Sequence, residues 1–296
     1  MRTMKFLLVG LVLFSGALSK VIKRETCGVP SLMTNLEQVE SINIHNKKRS
    51  SESAADELEM TFDQELADRS QEWADKCIWD HGLTTNCNGD AIGQNMYLSG
   101  GGAAFPKLNM TAVVTSWYNE KVDFDFTSNT CAQGKVCGHY TQVVWAKSHK
   151  VGCAYAKCPS VDVGQSKWEN VIIVVCDYSP AGNYKGSEIY AKGTPCSKCA
   201  DQVEQGYLCT NNLCSPCLPK DNPSCKCEQK APCQNDGIWD QGICSCSCKP
   251  GFYGKACENS CDCKDLYVDV CPTWSGFCSQ PAYDAFMKQT CPKTCK

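Results

Sequence analysis

The chain has 296 residues, 26 of them cysteine, and a formal net charge of -3. A large, even number of cysteines points away from a reducing cytosol and toward an oxidised protein held by disulfides. The small acidic charge offers no broad basic field to a nucleic acid, and a chain that is 43% hydrophobic can bury a core, which excludes global disorder.

The N-terminus reads as a secretory signal peptide over residues 1–19. Arg2 and Lys5 precede the apolar run 6–14, and the small residues 15–19 follow. The run is shorter than the roughly 20 apolar residues of a membrane span, and no later segment is longer, so no span is expected. Residues 20–29 form a short tail in which Lys23-Arg24 fits either a pro-segment cleavage site or two solvated charges.

Leu36, Val39 and Ile42 predict a helix over 36–49, and Phe62, Leu66, Trp73 and Cys77 a second over 62–77, with Thr61 and Gln64 spaced as a capping box. Asn109-Met110-Thr111 is the one glycosylation sequon. Val114, Trp117 and Tyr118 predict a third helix over 111–121. Three runs rich in Val, Ile and Tyr then predict strands at 140–145, 151–158 and 171–178. Helices followed by strands within one core give an α+β class. After Tyr190 periodicity ends, and 18 of the 26 cysteines crowd into residues 196–296, as in small modules that need covalent staples.

Four motifs in the first part belong together: His45–Arg49, Gly93–Tyr97, Gly138-His-Tyr-Thr-Gln-Val-Val-Trp-Ala-Lys-Ser148 and Val175–Tyr184. In this order they resemble the CAP superfamily of cysteine-rich secretory proteins, venom allergens and plant pathogenesis-related proteins, over residues 30–192. The resemblance implies a three-layer α-β-α sandwich with a cleft holding two His and two acidic residues. Carried over, these are His81, His139 and Glu120, with Gln94 standing where the family has Glu. Asp177 also departs, in a place where the family prefers a neutral or basic polar residue.

Two imidazoles are good zinc ligands and a carboxylate could complete an open site; His with a carboxylate also suits acid–base work. Gln94 weakens both readings, because an amide takes up no proton and binds zinc poorly. Two readings stand beside each other: a buried hydrogen-bond network of His81, Glu120 and His139 without turnover, and weak metal binding by His81 and His139. Neither includes catalysis, and Gln94→Glu is expected to tighten the metal. His45 reads as a structural histidine, His149 as solvated, and Lys47-Lys48-Arg49 as a wet helix face.

Residues 193–226 resemble the cysteine-rich hinge that follows CAP domains. Residues 227–258 look like an EGF-like module, which implies the pairs Cys227–Cys244, Cys233–Cys246 and Cys248–Cys257. No acidic stretch precedes Cys227, so no calcium is expected there. Residues 261–296 look like a ShK-toxin-like module. Ala285 and Phe286 occupy the places of the Lys-aromatic pair that channel-blocking members carry. The function expected is a secreted, non-enzymatic binding or effector protein, taking a small apolar ligand or a divalent ion in the cleft and contacting extracellular proteins through its tail. The alternatives are a venom-type ion-channel modulator and a metal-dependent peptidase.

Overall fold

The computed structural model describes residues 32–86, 89–199, 206–220, 222–227, 231–249 and 252–260, with Thr273, Ser275, Gly276 and Gln280. The signal-peptide, pro-segment and nearly all ShK-like assignments, and Cys27 and Cys87, lie outside them.

The first part runs α1 (Asn35–Arg49), β1 (Thr61–Phe62), α2 (Gln64–Ala74), β2 (Gly93–Ser99), α3 (Met110–Asn119), a 3-10 turn at Glu120–Asp123, β3 (Phe124–Asp125), β4 (Thr130–Cys131), α4 (Gly138–Val143), β5 (Lys150–Val163) and β6 (Ser166–Ser179). Four strands form one sheet in the order β1-β5-β6-β2, with β1 parallel to β5 and the others antiparallel. Helix α2 covers one face, where Ala74, Met96, Val171, Ile173 and Val175 pack. Helices α1, α3 and α4 share the other, around Val114, Trp117, Tyr140, Val174 and Tyr178. This is an α-β-α sandwich. Strand residues alternate between the two cores, as the period of two requires. Helix α2 lies so close to β5 that a Cβ on Gly152 would overlap the backbone of Leu66 and Ala67.

Several expectations change. The run 140–145 forms helix α4 and the turn after it, not a strand. Helix α2 starts later than predicted: Asp63 is its cap, accepting from the Leu66 N–H at 3.2 Å, and Thr61 lies in β1. On α1, Leu36 and Val39 are exposed, and the buried stripe is Gln38, Ser41, Ile44, His45 and Arg49. Most of its polar atoms find partners in the layer beneath it, the exception being Gln38 Oε1, which has none among the described residues. Gln38 donates to the Cys153 carbonyl at 2.7 Å, and His45 bonds the Ser41 carbonyl at 2.7 Å and Tyr178 Oη at 2.9 Å. Arg49 is fully buried rather than wet, and donates to the carbonyls of Leu58, Val143, Trp145, Ala146 and Ser148. His149 is half-buried at the junction of β1 and β5, its carbonyl accepting from the Thr61 N–H.

Disulfides tie the layers: Cys77–Cys158 joins the end of α2 to β5, Cys153–Cys176 joins β5 to β6, and Cys131–Cys137 closes a short loop before α4. Beyond them lies the hairpin β7 (Tyr207–Thr210) and β8 (Leu213–Pro216), held by Cys196–Cys209 and Cys199–Cys214, with Cys217–Cys225 after it. It docks on the loop after α1: the Cys214 N–H donates to the Glu57 carbonyl and the Glu59 N–H to the Cys214 carbonyl. Then follow β9 (Ile238–Asp240) paired with β10 (Ser245–Ser247), and β11 (Phe252–Tyr253) paired with β12 (Asn259–Ser260). Here Cys227 is bonded to Cys244, Cys233 to Cys246 and Cys248 to Cys257.

Candidate functional site

Strand β2 is an edge strand, so the side chains on its two faces reach the rim of the sheet from opposite sides. Two histidine centres form there, one on each face.

The first is built from Glu120 and His139. Glu120 caps the C-terminus of α3, and His139 is the second residue of α4. The Glu120 carboxylate accepts from His139 Nδ1 at 2.6 Å and from the backbone N–H groups of His139 and Tyr140 at 3.1 and 3.3 Å. A carboxylate only accepts, so the neutral ring carries its proton on Nδ1 and leaves a lone pair on Nε2. Trp117 fixes the ring plane, stacked on His139 at 17° with centroids 6.2 Å apart. Asn95 on β2 donates to the His139 carbonyl at 3.1 Å, which anchors this centre to the sheet.

The second is built from His81 and Gln94. His81 sits in an exposed loop that Trp73 supports: the indole N–H donates to the Asp80 carbonyl at 2.8 Å, and a Cβ on Gly82 would collide with the ring. Gln94 uses its whole amide. Its Oε1 lies 3.1 Å from His81 Nδ1 and accepts from the Gly82 N–H at 3.2 Å, while its Nε2 donates to the Gly82 carbonyl at 2.8 Å and to Asp177 Oδ1 at 3.0 Å. Asp177, directly opposite Gln94 on β6, is fully buried. Burial pushes its carboxyl up to about 7, against hydrogen bonds from Gln94 and Ser70 that favour the charged form.

Neither His81 nor His139 engages its Nε2 in a hydrogen bond among the described residues. Glu120 acts behind His139 rather than beside it: the ligand atoms of His81, Glu120 and His139 do not all lie within 4.8 Å of one another. The one described group that close, Cys196, Cys199 and Cys214, is taken up in disulfides and offers no thiolate. In the sequence alone Asp177 reads only as a departure from the family pattern, with no role attached. The signal was that Gln94 and Asp177 depart together, from an acid and toward one.

Residues 42–178 match the model of the cysteine-rich secretory protein (CAP) family, and residues 260–296 match the ShK domain-like family. The chain is 38% identical over 199 residues to GLIPR1-like protein 1 of Bos taurus, covering 62% of this chain and 73% of that protein. It is 34% identical over 193 residues to human peptidase inhibitor 16, covering 64% of this chain, and 36% identical over 220 residues to human cysteine-rich secretory protein LCCL domain-containing 2, covering 71%. Of those two longer proteins it spans 39% and 43%. The crystal structure of Na-ASP-1 shares the fold, with a TM-score of 0.52 at 24% identity, over 68% of this chain and 52% of that one.

Proposed function

The chain belongs to the cysteine-rich secretory protein (CAP) family, and from that premise we propose that it is a secreted, non-enzymatic binding protein whose rim histidines, His81 and His139, take a divalent cation. The observation that carries this is the 2.6 Å bond from His139 Nδ1 to Glu120. A metal-ligating histidine characteristically donates its other ring nitrogen to a carboxylate or carbonyl, which fixes the tautomer and raises ligand basicity. His81 is held in the same sense by Gln94. The donor set suits a borderline ion such as zinc, and the ion would supply a Lewis acid at the rim. Two protein ligands make a weak site. Catalysis is disfavoured by the same contacts, because Glu120 already accepts three hydrogen bonds and Gln94 takes up no proton.

The rest of the chain supports an extracellular setting. The disulfides are those of an oxidising compartment, no described helix is long and apolar enough to cross a membrane, and Asn109 is exposed for a glycan. Residues 227–258 serve as an EGF-like module and, with the ShK-like segment, as contacts for extracellular proteins.

Calorimetric titration with Zn²⁺ tests the site. The wild type binds weakly, and His139→Ala abolishes the heat. Unchanged binding by His139→Ala would remove the assignment, and cleavage of a peptide library by the wild type but not by His139→Ala would replace it with a hydrolase.

A further inference from the structure

The buried carboxylate of Asp177 has no ion-pair partner among the described residues, Arg69 acting on it only at longer range, yet it lies one amide away from an exposed imidazole. We propose that Asp177 is the acid of this half of the site: acting through Gln94, it is a positioning residue that holds His81 with Nδ1 as donor and Nε2 free as a ligand.

The chain of contacts is continuous. Asp177 Oδ1 accepts from Gln94 Nε2, which turns Gln94 Oε1 toward His81 Nδ1. Gly82 favours the same orientation through both its N–H and its carbonyl, and Asp177 adds a third contact from the sheet. Asp177 belongs to the sheet, so it is the fixed end of the relay. Its other oxygen, Oδ2, lies 3.0 Å from Ser70 Oγ, whose single proton it shares as acceptor with the Gly152 carbonyl at 2.9 Å, and that hydroxyl accepts from the Asp177 N–H at 3.1 Å. An ionised carboxylate can only accept, so the amide before it has one orientation. A second amide in its place would fit either way round, and each way would prescribe a different proton position on His81.

The same geometry changes the expectation for Gln94. A Glu at position 94 would set its carboxylate about 3 Å from that of Asp177 and against the Gly82 carbonyl, so one proton would be shared between two acids. Gln94→Glu alone is therefore not expected to tighten metal binding.

The proposal rests on the cation-binding reading only in its last step, and the test separates the two. In metal-free protein at pH 8, above the value of about 7 to which burial raises Asp177, ¹⁵N spectra of histidine-labelled protein report each ring's tautomer. The wild type should show His81 and His139 both protonated on Nδ1. Asp177→Asn should turn His81 into a mixture and leave His139, held by Glu120, unchanged, and Zn²⁺ affinity should fall on the order of tenfold, the cost of losing a supporting partner behind a ligand. The exchanged pair Gln94→Glu with Asp177→Asn restores an acceptor-only group next to His81 and lets the amide at 177 donate to its second oxygen, so once the Gly82 carbonyl turns away from that oxygen the single tautomer and the affinity should return. A single His81 tautomer with unchanged affinity in Asp177→Asn overturns the proposal. So does an exchanged pair that leaves His81 mixed, even if Asp177→Asn alone fails to fold. If the wild type binds no Zn²⁺, the cation reading falls, and the tautomers alone decide the role of Asp177.

Discussion

Arg49 and Glu57 meet at 3.4 Å with both side chains fully buried. Arg49 draws on five carbonyls besides, whereas neither oxygen of Glu57 has a hydrogen-bond partner. Burial accordingly pushes Glu57 up to about 8, against the pull of Arg49. Asp177 is raised to about 7, and burial lowers His45 to about 4. The signs follow from where the folded protein holds protons. Glu57 and Asp177 stay protonated above their ordinary 4.5 and 3.8, so each costs stability as pH rises toward its folded value. His45 stays neutral below its ordinary 6.5, so it costs stability as pH falls from 6.5 toward 4. The two effects oppose below pH 6.5, and above it only the acids act. Denaturant unfolding should therefore show stability falling by about 2–3 kcal/mol between pH 6.5 and 8, and Glu57→Gln should flatten most of that slope. An identical slope in the variant would show that Glu57 is charged throughout. None of this was legible in the sequence, where Lys47-Lys48-Arg49 reads as one wet run. Only the carbonyls converging on Arg49 separate it from its neighbours, and those come from segments near positions 58 and 143–148.

Among the elements, legibility followed the kind of surface each one buries. Helix α3 buries Met110, Val113, Val114 and Trp117 at helical spacing, and α2 buries Leu66, Ala67 and Ala74 among polar neighbours, so the apolar spacing in the sequence marks both to within a few residues. Helix α1 is as legible in extent, but of the three residues that mark it Leu36 and Val39 face solvent and only Ile42 packs on the core, because its buried stripe is mainly polar, with Ile44 its one apolar member. Helix α4 was misread as a strand because Tyr140, Thr141, Val143 and Val144 favour strands by propensity; its position between Glu120 and the sheet overrides that preference. Helix α3 carries a coincidence with a consequence. Its cap is Asn109, whose Oδ1 accepts from the Ala112 N–H at 2.9 Å, and Asn109 is also the sequon asparagine. A glycan joins at Nδ2 and leaves Oδ1 free to cap. Asn109→Gln should lose both the glycan and about 1 kcal/mol of stability, whereas Asn109→Asp should lose the glycan and keep the cap, since Asp caps well. Gel mobility of the secreted protein reads the first effect and thermal unfolding of enzymatically deglycosylated samples the second. Equal stability of the two variants would show that the cap contributes nothing.

At the scale of the whole molecule, cross-links of very different reach share one chain. Cys77 and Cys158 are 81 residues apart in sequence, Cys153 and Cys176 are 23 apart, and Cys131 and Cys137 only 6. If a disulfide acts mainly by restricting the unfolded chain, its contribution grows with the logarithm of the loop it closes, giving about 4.5 kcal/mol for the first and about 2 kcal/mol for the last. The long loop encloses β2, α3 and α4, and with them Gln94, Glu120 and His139, while His81 lies just past its first cysteine. The short loop ends at the residue before α4, where it sets the approach of His139 to Glu120. The two bridges should therefore fail differently. Replacing Cys77 and Cys158 together by Ala should cost roughly twice the unfolding free energy of replacing Cys131 and Cys137, while the tautomer of His139 survives in the fraction that stays folded. Replacing Cys131 and Cys137 should cost less stability but weaken Zn²⁺ binding more, because it frees the segment that carries the ligand. Equal stability losses would show that the unfolded-chain account does not hold here. Unchanged Zn²⁺ affinity without the short bridge would show that Glu120 and Trp117 alone are enough to hold His139.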